Sequence, residues 1–202
     1  MGVQTTTSIP QVPSGVITTT TPARSPTTVQ HALPQSQVAA QLKISGTVIA
    51  GGPLSQSTIA AVNAAAAKTP SQWRRYIAYQ GEVKVGGSLA WRANNPGNLR
   101  GASTKIGSVT GAVGTFAVFA TLDDGRAAQR ALYLDKYGAM SVRDAINKLT
   151  PPSENDTAKY LTELKNAGVD LDKDVKSQID VLMPAVAANE GLIAGTVVTR
   201  TP

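Results

Sequence analysis

Asn94-Asn-Pro-Gly-Asn-Leu-Arg100 is the stretch whose reading decides the fold. Two amides, a proline and a glycine in succession predict a tight turn, because Asn tolerates left-handed backbone, Pro presets φ and Gly has no Cβ to clash. Downstream, Gly101, Gly107, Gly111 and Gly114 separate short β-prone pieces and predict a small hairpin. Beyond it, Thr121-Leu-Asp-Asp124, Ser141-Val-Arg-Asp144 and Ser153-Glu-Asn-Asp156 share the Ser/Thr-x-x-acid form that caps helix N-termini. Three helices should start there. The first runs to Tyr137 and stops at Gly138, with Ala128, Ala131, Leu132 and Leu134 inward; the second ends at Thr150-Pro151-Pro152; the third ends near Gly168. A last helix or pair of helices covers Lys173 to Asn189, with a kink or break at Pro184.

Working upstream, Pro53 to Ala67 has high helix propensity and ends before Thr69-Pro70. A further short helix is expected over Ser71 to Tyr79, where Trp73, Tyr76 and Ile77 fall at i, i+3 and i+4. Residues 1–37 are rich in Thr, Pro, Ser and Gln, with Pro10, Pro13, Pro22, Pro26 and Pro34 too close together for helix or central strand. Such a stretch cannot bury a core alone: it is either a flexible terminus or an arm that orders on a neighbouring subunit. Ser14-Gly-Val-Ile-Thr, Ser45-Gly-Thr-Val-Ile and Ala194-Gly-Thr-Val-Val are β-branched runs led by Gly, each able to add a strand to an exposed sheet edge. Alternatively, the piece holding Leu42 and Ile44 pairs with Val197-Val198 inside one chain. The expected division is an extended arm over 1–52, a helical linker over 53–70, a globular domain over 71–192 and a β-prone tail over 193–202.

Composition narrows the function classes. Hydrophobic residues make up 42% of the 202 residues but aromatics only 4%, which allows a modest core. The net charge of +6 is unevenly placed: Arg24, Lys43, Lys68, Arg74 and Arg75 precede Glu82, the first acidic residue. Those cations are scattered without interleaved aromatics, a pattern that disfavours nucleic-acid binding and suits weak attraction to an anionic surface. Cysteine is absent, so no thiolate metal site can be built, and His31, the sole histidine, lies in the arm, which disfavours a Ser-His-Asp triad; no cofactor is implied. The N-terminus lacks the basic and apolar regions of a secretory signal. The most apolar windows, Val38 to Ala50 and Val181 to Ala194, are too short and too interrupted to span a membrane.

Three motifs appear in order: Asn94 to Arg100; Phe116-Ala-Val-Phe119 with Gly125; and Pro151-Pro-Ser-Glu-Asn155-Asp-Thr157 with Tyr160. The set resembles a family of phage and prophage virion-associated proteins with a lysozyme-like domain, and the match covers about residues 90–190. A more distant similarity is to flagellar-type glucosaminidases, where an Asn-Asn turn follows a catalytic Glu. The resemblance implies a mainly α fold with a small β-hairpin (α+β, lysozyme-like) behind an extended Thr/Pro-rich N-terminal arm, and a sugar-binding cleft near Asn94 to Arg100.

A glycan strand needs amides for its hydroxyl and acetamido groups, aromatic faces for its rings and an acid for the glycosidic oxygen. Asn94, Asn95, Asn98 and Asn155 could supply the amides and Trp91, Phe116, Phe119 and Tyr160 the faces, with Arg100 closing the set. Turn or cap chemistry is the competing reading for Asn95 and Asn155, and core packing for Phe116 and Phe119. The candidate acids are Glu82, flanked by Val83 and Val85, and Glu190, in Ala187-Ala-Asn-Glu-Gly191, where related virion proteins often have His-Glu-Asn-Gly. The histidine is missing here; Glu154 is read as helix-starting through the helix dipole.

The resemblance implies a phage virion protein, in the particle or outside the host cytoplasm during infection, that binds peptidoglycan and, if active, cleaves it as a muramidase, glucosaminidase or lytic transglycosylase. Its arm would contact other virion structural proteins, in multiple copies per particle. The alternative is a purely structural minor capsid or tail protein with a degenerate domain; a third reading is a secreted bacterial effector or wall-binding module.

Overall fold

Side chains that alternate between two faces make a strand, and residues 76–79 do so. A computed structural model of the chain describes residues 41–153 and 156–202. In it, Tyr76 and Ala78 join one hydrophobic cluster while Ile77 and Tyr79 join another. The helix expected over Ser71 to Tyr79 is therefore replaced by a single 3₁₀ turn, Ser71–Trp73, followed by a strand, Arg75–Ala78. Two-sided burial of successive residues fits the strand period of two and not the helical period of 3.6.

In chain order the elements are β1 (Ser45–Val48), α1 (Gln56–Ala67), β2 (Arg75–Ala78), β3 (Glu82–Val85), α2 (Leu89–Arg92), β4 (Gly107–Gly111), β5 (Gly114–Val118), α3 (Leu122–Tyr137), α4 (Val142–Leu149), α5 (Thr157–Asn166), α6 (Val175–Asn189) and β6 (Thr196–Thr199). The architecture is mixed α and β, with two small sheets. One is the expected hairpin, β4 paired antiparallel with β5. The other is a four-stranded sheet in the order β1-β2-β3-β6, with β1 parallel to β2 and the remaining pairs antiparallel. This larger sheet corrects the expectation of a hairpin alone. Its pairing crosses the boundaries expected at 52 and 192, because β1 and β6 each need a partner for their backbone donors and acceptors and find it within this chain. Leu42 and Ile44 do not pair with Val197 and Val198: β2 and β3 lie between β1 and β6, although Leu42, Ile44 and Val198 share one cluster. Expectations for residues 1–40, Glu154 and Asn155 lie outside the described residues.

One face of the large sheet is covered by α1. Leu54, Ile59, Val62, Ala65 and Ala66 pack on Tyr76, Ala78, Val83, Val85 and Val198. Ser55 caps α1 by accepting from the Thr58 backbone N–H. The opposite face carries Ile77 and Tyr79 toward Ala93 and Val118, and so toward the hairpin. A second core forms among α3 to α6, around Ile146, Leu164, Val175, Ile179 and Leu182.

The helix starts behave largely as their caps predict. Thr121 and Asp124 form a reciprocal capping box on α3, and Ser141 caps α4. For α5 the cap is Asp156 and not Ser153, so that helix begins at Thr157. The buried stripe of α3 is Gly125, Gln129 and Tyr133; Ala128 and Leu132 pack partly, and Ala131 is exposed. α6 is one helix with Pro184 inside it.

A chain shortened to begin at Ser71 loses β1 and α1. Burying Leu54, Ile59 and Val62 is worth about 1.5–3 kcal/mol each, together comparable with a whole domain's stability of about 5–15 kcal/mol. The shortened chain is expected to lose cooperative unfolding of the sheet, read by near-ultraviolet circular dichroism during a thermal scan; an unchanged transition would refute this packing.

Candidate functional site

Asn94 and Asn98 both adopt left-handed backbone, with φ of 54° and 48°, so the Asn-Asn-Pro-Gly-Asn segment is a turn closed at both ends by asparagine. Asn94 is buried. Its Nδ2 donates to the Phe119 and Ala120 carbonyls, each at 3.0 Å, and its Oδ1 accepts from Lys84 Nζ. Asn95 is buried as well: Nδ2 donates to the Leu99 and Ala117 carbonyls at 2.9 Å each, and Oδ1 accepts from the Leu99 N–H at 2.8 Å. These two amides tie the turn to the end of β5, and all their bonds go to backbone except the one Asn94 Oδ1 accepts from Lys84. Their expected role as sugar ligands is corrected to a structural one.

Phe116 and Phe119 are likewise core residues, 7% and 0% exposed. Phe119 packs with Leu99 and Ala117, and its N–H donates to the Ala93 carbonyl at 3.0 Å. Residues 116–119, at the end of β5 and one position past it, are all buried, so neither ring offers an open face. Gly125 completes the bracket: a Cβ there would sit 1.8 Å from the Asn94 carbonyl oxygen, so α3 can meet the turn only through glycine.

Asn98 points elsewhere. Its Nδ2 donates to Glu190 Oε2 at 2.7 Å, while the Tyr160 hydroxyl donates to Glu190 Oε1 at 3.1 Å. The half-buried Glu190 carboxylate is thus gripped from the turn and from α5. A helix terminus places it: Glu190 is the C-cap of α6, Gly191 follows with φ 66°, Gly191 N–H donates to Ala188 O and Leu192 N–H to Ala187 O. That pattern is a Schellman ending, which needs glycine one residue past the cap. Burial and then the Glu190 charge hold the hydroxyls of Tyr133 and Tyr160 well above the ordinary phenol value. Both remain proton donors throughout the neutral range. The Gln129 amide, 0% exposed, lies against Gly97 and beside the Tyr133 hydroxyl but makes no hydrogen bond of good geometry; the Asn189 Nδ2 is buried in the same way. A groove of about 400 Å³ between α3 and α6 is lined by Pro96, Gln129, Met183 and Ala187, close in sequence to Asn98 and Glu190.

Glu82 stands in a different place. It lies at the start of β3 and lines a recess of about 410 Å³ with Tyr79, Ile106 and Ala120, and no hydrogen bond orients its carboxylate among the described residues. Two positions on, Lys84 is buried; desolvation lowers its ammonium from the usual value, with Glu82 acting in the opposite sense. Trp91 is half-buried with its ring 4.9 Å from Lys84 Nζ, a cation–π contact rather than an open platform. Arg100 is exposed and donates to the Val113 carbonyl in the hairpin turn at 3.4 Å.

Of the residues expected from sequence, then, Asn98, Tyr160 and Glu190 come together. Asn94, Asn95, Phe116 and Phe119 build the frame, and Glu82, Trp91 and Arg100 lie outside the cluster. Tyr133, Gln129 and Lys84 were not foreseen. For the first two the signal was present: Gly125, Gln129 and Tyr133 recur every four residues on α3. No protein-family model and no curated protein matches the chain.

Asn95→Ala strips the turn of three hydrogen bonds and takes the side-chain partner from the buried Leu99 N–H, at about 1–3 kcal/mol for a buried group left unpaired. It is expected to destabilise the protein by about 3 kcal/mol in urea unfolding, whereas Asn98→Ala costs under half as much because that side chain is half-exposed. The phenols give a pH dependence. Because the hydroxyls of Tyr79, Tyr133 and Tyr160 are raised above 10.0 in the fold, the native state holds protons that the unfolded chain releases. Stability should be level below pH 10 and fall as pH rises past it, with the phenolates of Tyr79, Tyr133 and Tyr160 appearing only as the fold is lost; their formation in the intact protein, read by absorbance in Tyr137→Phe, would contradict this.

Proposed function

We propose that this is a virion-associated protein whose lysozyme-like domain binds peptidoglycan glycan strands and cleaves their β-1,4 bonds with Glu190. The observation that carries this reading is the grip on Glu190 by Asn98 and Tyr160, which draws together side chains 62 and 92 positions beyond Asn98. General acid catalysis needs a fixed carboxyl group within reach of the leaving oxygen. As the Glu190 proton passes to the glycosidic oxygen, negative charge develops on a carboxylate for which the Asn98 and Tyr160 donors already stand in place, so little reorganisation is required. Among the described residues no second carboxylate joins the cluster. The same group therefore takes a proton back from the attacking hydroxyl, of water in hydrolysis or of the sugar itself in transglycosylation. The Thr/Pro-rich N-terminal segment is proposed to fasten the domain to other structural proteins of the particle, in multiple copies.

A second reading, a purely structural capsid or tail component with a degenerate domain, draws support from the burial of Asn94, Asn95, Phe116 and Phe119, since all four serve the fold. Turbidity loss of purified peptidoglycan by the full chain separates the two. The parent is expected to clear the suspension, Glu190→Gln to be slowed by about 100-fold or more, and Glu82→Gln to match the parent. A folded parent without activity would give first place to the structural reading, and loss with Glu82→Gln alone would move the acid to β3.

A further inference from the structure

On the hairpin side of the large sheet, away from α1, β1, β2, α2 and β4 enclose a pocket of about 500 Å³. Ser45 and Thr47 stand beside Arg75 and Ile77 in the parallel register of β1 and β2, and Arg92 enters from α2. No Asp or Glu lines it. Arg92 is 8% exposed, and its Nη1 donates to the Gly86 and Gly87 carbonyls, which pin the guanidinium without neutralising it. Neither Arg75 nor Arg92 is in an ion pair among the described residues.

This arrangement is unfavourable without an occupant. Burial, and then the charge of Arg75, push the Arg92 guanidinium down to about 10, still cationic near neutrality. A buried cation whose partners are all uncharged carries an uncompensated desolvation cost, which an anion placed beside it would offset. The segment around the pocket deepens the positive field, since residues 41–81 contain Lys43, Lys68, Arg74 and Arg75 and no acidic side chain. Planar guanidinium forks and the hydroxyls of Ser45, Thr47 and Thr110 are the donors an oxyanion accepts from. The volume exceeds what a bare oxyanion fills, and Ile77, Leu89 and Val109 offer apolar surface for the rest of a small molecule.

We propose that this pocket binds a small organic oxyanion, a phosphate ester or a carboxylate, between Arg75 and Arg92. The inference does not rest on the glycan reading, because none of its residues belongs to the Glu190 cluster.

The test titrates the full-length protein with inorganic phosphate and, separately, with butyrate, at ionic strength held constant with chloride, by calorimetry and by melting temperature. At least one probe should bind saturably and raise the melting temperature. Phosphate alone points to a phosphate ester, butyrate alone to a carboxylate, and both to an oxyanion site indifferent to its source. Arg75 is exposed, so its variants should fold. Arg75→Gln should weaken binding by about tenfold or more, the loss of a charge-assisted contact, and Arg75→Glu should abolish it. Binding by neither probe, wild-type affinity in Arg75→Gln, or binding retained in Arg75→Glu would each overturn the proposal.

Discussion

Where the Asn94 carbonyl meets α3 there is no room for a side chain. Gly125 sits in the first turn of that helix with its Cα facing the carbonyl, and from this contact the rest of the architecture is arranged. It sets how closely α3 approaches the turn. The amides of Asn94 and Asn95 then donate four bonds to carbonyls, three of them, at Ala117, Phe119 and Ala120, at the end of β5 and just past it, and the fourth at Leu99 within the turn segment. Asparagine suits both demands, since its short amide donates twice and its backbone enters the left-handed region at modest cost. Aspartate would offer no donors, and glutamine would overreach. The turn is a joint between two cores, one under the four-stranded sheet and one among α3 to α6.

The joint is polar, which raises the question of what offsets the desolvation. Lys84 and Arg92 are both buried near it, and both give their protons mainly to uncharged oxygen: Lys84 to Asn94 Oδ1 and the Trp91 carbonyl, Arg92 to two glycine carbonyls. Carbonyl partners satisfy the donors and leave the charge standing, so positive potential persists inside the fold. The carboxylates in ion pairs of the described residues, by contrast, are exposed ones such as Asp123, Asp172 and Asp180, worth little to stability. Glu190 is the exception, drawn into the interior by an amide and a phenol instead of by a cation.

Sequence reading succeeded where the determinants are local. The hairpin, α1 and the helices capped by Thr121 and Ser141 follow from turn residues, propensity and caps within a few positions of the element. It failed at Arg75–Ala78, where Trp73, Tyr76 and Ile77 have helical spacing by coincidence and the deciding fact is non-local: α1 covers one side and the hairpin region the other. The same non-locality hid the sheet, whose edge strands come from residues 45–48 and 196–199, more than a hundred positions apart. Asn98, Tyr160 and Glu190 stood out through the ordered set of motifs and not through any one of them, and they meet in the fold. Turn chemistry was already the competing reading for Asn95; the role of Asn94 was not legible, because an amide in a turn reads the same whether it faces a ligand or a carbonyl.

Whether a carboxylate can do chemistry depends on how firmly its backbone is held, and here the end of α6 decides that. A helix that frayed would swing Glu190 away from the turn. The Schellman bonds at Ala187 and Ala188 stop the fraying, and Gly191 makes them possible with its left-handed backbone. The Asp174 cap at the other end, accepting from the Ser177 N–H, fixes where α6 starts. Between these ends Val175, Ile179, Leu182 and Val186 bury the helix in its core, so the carboxylate stands at the end of an element that packing and both caps keep in register. Orienting this Glu therefore requires no further side chain: Asn98 and Tyr160 grip one oxygen each, and the helix terminus supplies the rest of the constraint.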